Sequence, residues 1–236
     1  MRLVLLLLVF FISLISSAQK TVDVGKQDVN VIDPNFFFAV NGQPFVNAKF
    51  VKIVQGSPYF RDDWMQGSVM LNGGKAYFNN NLKLELVTNE LHFIDTSNVE
   101  MIATGILKQI KLVDTVSQTI YTFIHSAFIN GENIPGGWYE LLADGKPASL
   151  FKQHVKSIVE VKPYGSATYE QLIETYERRM LLLNKNFTEI KNIKDLSNMF
   201  ADKKNEVQQY IKDHNLSSKS DNDLVQVVNY YNSLHQ

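Results

Sequence analysis

Between Asn35 and about Lys162, apolar and polar residues alternate in short runs broken by turn residues, the signature of successive β-strands. In "NLKLELV", Leu82, Leu84 and Leu86 point one way and Lys83 and Glu85 the other. That alternation predicts a sheet with one face on a core and one in solvent. Turn dipeptides fall between the runs. Asn41-Gly42 in "FFFAVNGQPFVNAKFVKIV", Asn72-Gly73 in "SVMLNGGKAYF" and Asp144-Gly145 in "WYELLADGKPASLF" predict hairpins with the glycines at positive φ. No helical segment separates these runs, which argues against parallel βαβ units. The expected fold is therefore α+β, mainly β: an antiparallel meander curled into a barrel- or sandwich-like sheet that hides its edges.

Two regions depart from that pattern. In 163–190, "TYEQLIETYERRM" places Tyr169, Leu172, Ile173, Tyr176 and Met180 at helical spacing, while Thr168, Ile173, Thr175 and the two tyrosines favour a strand, so both readings stand. "RMLLLNKNFTEI" predicts one more hairpin. After Ile190 the period becomes helical. A short turn runs from Asp195 to Phe200, and a helix follows with Asp202 as N-cap, Val207, Tyr210 and Ile211 on one face and Asn215 as its stop. The last helix starts at Ser220, with Asp223 three residues on, and buries Leu224, Val227, Val228, Tyr231 and Leu234. Helices this short are marginal alone, so residues 191–236 are expected to pack as a small C-terminal helical segment on a β-domain spanning 35–190.

The N-terminus adds a compartment. Arg2 precedes an almost unbroken apolar run, Leu3 to Leu14, and Ser16-Ser17-Ala18 supplies small residues for cleavage. Residues 1–18 thus read as a secretory signal peptide, with 19–34 a lead-in to the mature domain. The run is shorter than the roughly 20 residues a membrane span needs. The chain has no Cys, so no lipidated cysteine, disulfide, thiolate metal site or cysteine nucleophile is expected. The expected product is periplasmic or secreted, not a lipoprotein, and without a membrane span. Charge is nearly balanced, 23 basic against 24 acidic residues, which gives nucleic acid no basic surface.

Candidate chemistry is concentrated in "GSPYFRDDWMQG", where Tyr59, Phe60, Asp62, Asp63 and Trp64 crowd together. Adjacent carboxylates in an extended segment point apart, which does not suit a proton-sharing dyad. Nor can one loop supply the separately positioned pair a glycosidase uses. The aromatics would suit stacking on a sugar or flat ligand, so these five residues are the candidate ligand-binding set. The competing reading is a turn whose aromatics close the end of the sheet. The five His lack metal-ligand spacing, and no Ser sits in a nucleophile elbow. No catalytic residue, metal or cofactor is expected.

The segments "GSPYFRDDWMQGSVML", "KPYGSAT" and "DKKNEVQQYIKDHNLSSKSDNDLVQVVNYYNSL" resemble an uncharacterised group of signal-peptide-bearing bacterial envelope proteins. The resemblance implies an envelope location and these domain limits, and no activity. The expected function is a non-enzymatic secreted or periplasmic binding or interaction protein whose partner is an envelope protein, a glycan or an apolar ligand. The alternatives are a carrier holding an apolar ligand in a barrel-like cavity and a carboxylate-based glycan hydrolase.

Overall fold

The structure, a computed structural model, describes Asp33, residues 35–46 and residues 53–235. The expected signal peptide and nearly all of the lead-in lie outside the described residues, as do residues 47–52.

The chain is mainly β, with one large mixed sheet and a helical C-terminus. A short helix α1 (Phe36–Ala39) precedes β1 (Gly42–Pro44) and β2 (Ile53–Gln55). The meander then runs through β3 (Met65–Leu71), β4 (Ala76–Leu84), β5 (Leu91–Ile94), β6 (Glu100–Ala103), β7 (Leu107–Asp114), β8 (Thr119–His125), β9 (Trp138–Ala143), β10 (Ala148–Val161), β11 (Glu170–Leu183) and β12 (Asn186–Ile190). Three helices close the chain, α2 (Ile193–Met199), α3 (Lys204–Asp213) and α4 (Asp221–Ser233).

In space the order is β1-β6-β5-β4-β3-β7-β8-β9-β10-β11-β12, antiparallel throughout, with β2 added in parallel to β11. The step from β6 to β7 forces curvature. Thr104 to Ile106 must carry the chain past β5, β4 and β3. Four flat strand spacings would need about 19 Å. The connection, four Cα steps, reaches about 14 Å at most. The sheet therefore curls, yet among the described residues no ladder joins β6 to β7 or β1 to β12. The expected barrel is not formed: the sheet is curled and open. Its interior is filled by Phe36, Leu82, Leu84, Phe93, Ile110 and Phe123, each 1 % exposed or less.

The tail packs on the far end of the sheet. Leu196, Phe200, Val207, Leu224, Val227 and Val228 form a second core with Leu150, Leu181 and Ile190. Phe200 stacks on Tyr231 at 3.7 Å between ring centroids. Asn232 ties α4 to the sheet, because its side chain both accepts from the Ala148 amide (2.9 Å) and donates to the Ala148 carbonyl (2.8 Å). On the opposite face of β9–β12 a third cluster joins Ile129, Tyr139, Phe151 and Met180.

Several local expectations change. "FFFA" is helix, not strand: Asp33 Oδ1 accepts the Asn35 amide, and Phe36 packs edge-on to Phe93 at 4.9 Å. Asn41, at φ 52°, then serves as the helix stop, since an Asn-Gly pair fits a helix C-terminus as well as a hairpin. The positive φ of the β3–β4 turn falls on Gly74, not Gly73. The β9–β10 connection contains a cis Lys146–Pro147 bond, and Gly145 lacks positive φ. Glycine is needed there for space: a Cβ would stand 2.2 Å from Asn232 Nδ2. Glu85, expected in solvent, is fully buried, because its carboxylate accepts the Val87 and Thr88 amides as the chain turns out of β4. Residues 170–183 are strand throughout, and Asn184 and Lys185, both at positive φ, make the predicted turn into β12. Asp202 does not cap α3. It accepts instead from the Tyr231 hydroxyl (3.0 Å) and pairs with His235 (2.8 Å), while Asn192 and Asp195 form a capping box on α2.

Candidate functional site

The crowded stretch is a strap. β2 lies along the outer edge of β11, and Gly56 then turns the chain across the hairpin formed by β10 and β11. Gly56 sits at φ +84°, and a Cβ there would meet Ile173 Cβ at 2.9 Å, so backbone and space both demand glycine. From β10, the Lys156 ammonium donates to the carbonyls of Ser57 (2.8 Å) and Tyr59. Burial lowers the Lys156 pKa, partly opposed by the charges of Asp62 and Glu85. Beyond it the strap bonds to the end of β4: Phe60 N donates to Leu84 O (2.8 Å), and Leu86 N to Pro58 O (2.9 Å).

These bonds send the candidate aromatics to different places. The Tyr59 ring meets His92 edge-on at 5.4 Å, and its hydroxyl is pushed up to about 12 by burial and by Glu100, Glu85, Asp62 and Glu90. Phe60 points inward, 5.0 Å from each of Tyr121, Phe123 and His154. Trp64 is half-buried, with the Lys83 ammonium 5.3 Å over its ring and 4.4 Å over that of Tyr59. Asp62 accepts the Ser57 hydroxyl, and both Asp62 and Asp63 are exposed. Tyr59 and Trp64 thus meet at Lys83, while Phe60 packs on the buried Phe123, so the strap does not gather all three rings on one ligand.

Beside the strap lies a polar network that is hard to see in the sequence until 170–183 is a strand. Register then aligns Glu140, Lys152 and Arg179 across three strands, and His154 with Glu177. Lys152 pairs with Glu177 and with Asp221 at the start of α4, both at 2.9 Å. Arg179 reaches Asp221 at 2.9 Å and Glu177 at 3.0 Å. His154 Nε2 lies 2.6 Å from Glu140, and Nδ1 lies 3.4 Å from Glu177. With both ring nitrogens facing carboxylates, His154 offers no free nitrogen to a substrate proton. His92 is fully buried, its Nδ1 2.8 Å from Glu100. Among the described residues, no group of three or more His, Asp or Glu is placed to hold a metal ion. The network fastens the tail to the sheet.

One region contributes no buried residue to the core. β10 and β11 pair over their whole length, from Ala148–Leu183 to Val161–Glu170. Their first turns are packed on both faces, yet no residue from Lys152 to Arg179 is buried. β9 pairs with β10 only as far as Lys152, so beyond it one edge of β10 has no paired strand among the described residues. The hairpin projects as an arm carrying Tyr164, Tyr169 and Tyr176, all exposed, and its end is the "KPYGSAT" segment. The only sequence signal for this arm is a run of apolar residues on both faces of a strand that the helical spacing obscured.

Elsewhere, a recess of about 250 Å³ is lined by Leu91, Ile106, His125 and Trp138 among others. That is below the roughly 300–1,000 Å³ of small-molecule sites. Among the described residues no helix is long and apolar enough to cross a membrane. Comparison with protein-family models, curated proteins and solved structures finds no match.

Proposed function

We propose that this chain is a non-enzymatic binding or interaction protein, secreted or periplasmic, that meets its partner through the β10–β11 arm. One observation carries the reading. The chain extends a 14-residue strand pair well past the last buried residues, Phe151 and Met180, and ends it in exposed tyrosines. Burying apolar and aromatic surface is the main source of affinity, and an arm that leaves its tyrosines exposed keeps that surface for a partner. Glu140, Lys152, His154, Glu177, Arg179 and Asp221 are tied to one another and Lys156 to backbone, which supports binding over turnover. The apolar start of the sequence supports export.

The test is co-sedimentation of the processed chain with isolated cell-wall glycan and with envelope vesicles. The expected result is saturable binding to one of them, with no release of glycan fragments. Changing Tyr164, Tyr169 and Tyr176 together to Ser should abolish it at an unaltered melting temperature. Binding that survives this triple change and is lost in Trp64→Ala would move the site to Tyr59, Phe60, Asp62, Asp63 and Trp64. Fragment release that depends on a carboxylate would favour the hydrolase.

A further inference from the structure

Three Asn-Gly pairs stand in the chain, Asn41-Gly42, Asn72-Gly73 and Asn130-Gly131. An asparagine before glycine is set to react with its own backbone. The glycine nitrogen closes a five-membered ring on the side-chain carbonyl carbon, and no Cβ shields it. Each pair follows an aliphatic residue, so the three are alike as sequence, and the fold separates them. Asn41 is held fast: its Nδ2 donates to Thr104 Oγ1 (2.8 Å), and its carbonyl accepts the Thr104 hydroxyl (2.7 Å). Gly42 pairs with Ala103 in the β1–β6 ladder, and a Cβ there would stand 2.6 Å from Phe37 Cδ2. At Asn130 the attacking nitrogen is itself engaged, since the Gly131 amide donates to Ile129 O (2.9 Å). A Cβ at Gly131 would stand 2.8 Å from Leu182 Cδ1, so that backbone too is packed in place.

Asn72-Gly73 has none of these restraints. It forms the tip of the β3–β4 hairpin, where Leu71 N donates to Lys75 O and Gly74 N to Leu71 O, both at 2.9 Å. Asn72 N donates to Ile106 O (3.3 Å). Among the described residues, however, neither the Asn72 side-chain amide nor the Gly73 amide has a hydrogen-bond partner. Residues 72 to 75 are all exposed, and a Cβ built on Gly73 or Gly74 meets nothing within 4 Å. The Asn72–Gly73 peptide is therefore free to swing toward its own side chain and bring nitrogen and carbon into contact, a movement closed to the other two pairs.

We propose that Asn72 is a site of spontaneous covalent modification, in which Gly73 N attacks Asn72 Cγ. The N–Cγ bond forms and the Cγ–Nδ2 bond breaks. The proton of the Gly73 amide leaves with the departing nitrogen as ammonia, and a cyclic imide remains. Water, the one co-reactant, then opens the ring at either carbonyl. The product is aspartate at 72 or isoaspartate, in which the main chain runs through the side chain. The turn buries none of its residues, and the flanking pair Val69 and Tyr77 stays buried in the core. The product therefore accumulates as a second folded form, with one more negative charge at the turn that carries Lys75. The chain thus carries a mark of its own age on the β3–β4 turn.

The test follows all three pairs in one sample, so that each controls for the others. The processed chain is aged in warm, mildly alkaline buffer and digested. Mass spectrometry then reads the exchange of amide for acid in each Asn-Gly peptide, and an isoaspartate-specific methyltransferase labels the rearranged product. In the folded chain Asn72 should convert at least about tenfold faster than Asn41 or Asn130, the ratio that a barrier difference of about 1.4 kcal/mol produces. In urea strong enough to unfold the chain, the three rates should converge, because only the fold distinguishes them. Gly73→Ala sets a methyl group beside the attacking nitrogen in open space, and should slow Asn72 at an unaltered melting temperature. Equal rates at the three pairs in the folded chain would overturn the inference, and so would an Asn72 that converts only in urea.

Discussion

The two halves of the β10–β11 hairpin have the same backbone pairing and different surroundings. Near the tail, Leu150 and Leu181 lie under α2–α4 while Phe151 and Met180 lie under the segment around Ile129. Beyond Lys152 the same two strands keep their register but lose both covers, apart from the strap that crosses at Lys156 and Ile173. Backbone hydrogen bonds contribute little net stability against water. Burial therefore decides which half the fold depends on, and the near half carries it. The far half is free to change at small cost, which is the property of a surface kept for contact.

Changes that strip cover from the near half should have the largest effects. Phe200→Ala removes a fully buried ring stacked on Tyr231 and should cost about 3–5 kcal/mol in thermal or denaturant unfolding. Asn232→Ala leaves the buried amide and carbonyl of Ala148 without partners and should cost about 2–3 kcal/mol in the same assay.

Asp221→Asn weakens the fastening of α4 to the near half, by about 1 kcal/mol at most, because the group is partly exposed and screened. Its pH dependence has a definite sign. Burial raises the Asp221 pKa, but the hydrogen bonds from Lys152 and Arg179 outweigh it and hold the group below its usual 3.8. A depressed acid stabilises the fold above its unfolded pKa and loses that contribution as pH falls through the folded value. The deficit of Asp221→Asn should therefore be present at neutral pH and shrink below about pH 4. A deficit constant from pH 7 to pH 2 would remove the ion pairs from the account. The smallest effect is expected at the tip, where Tyr164→Ser should leave the melt unchanged within about 0.5 kcal/mol.

Much of this contrast was hidden in the sequence, and the reasons are physical. Strands with one covered face, such as Leu82 and Leu84 in β4, announce themselves by alternation, and the meander from β3 to β9 was legible for that reason. The arm has no covered face, so Leu172, Ile173 and Tyr176 lack a period of two and mimic a helix. Asn41-Gly42 misled because one dipeptide serves two kinds of chain reversal. The strap residues were legible as a crowded turn, but their separate destinations depend on β4, β8 and β10, which are distant in sequence. Glycine at 145 is explained only by Asn232, 87 residues further on and on another element.

The central claim, that one hairpin is half fold and half free surface, is tested most directly by a matched pair in one strand. Leu181 is 1 % exposed beneath the helical tail, and Leu172 lies on the arm, partly exposed. Urea unfolding of Leu181→Ala and Leu172→Ala at a protein concentration too low for association removes the same atoms from the two halves. Leu181→Ala should lose about 3 kcal/mol or more, and Leu172→Ala less than about 1 kcal/mol. Equal losses would show that the arm is built into the core of the protein and would contradict the account.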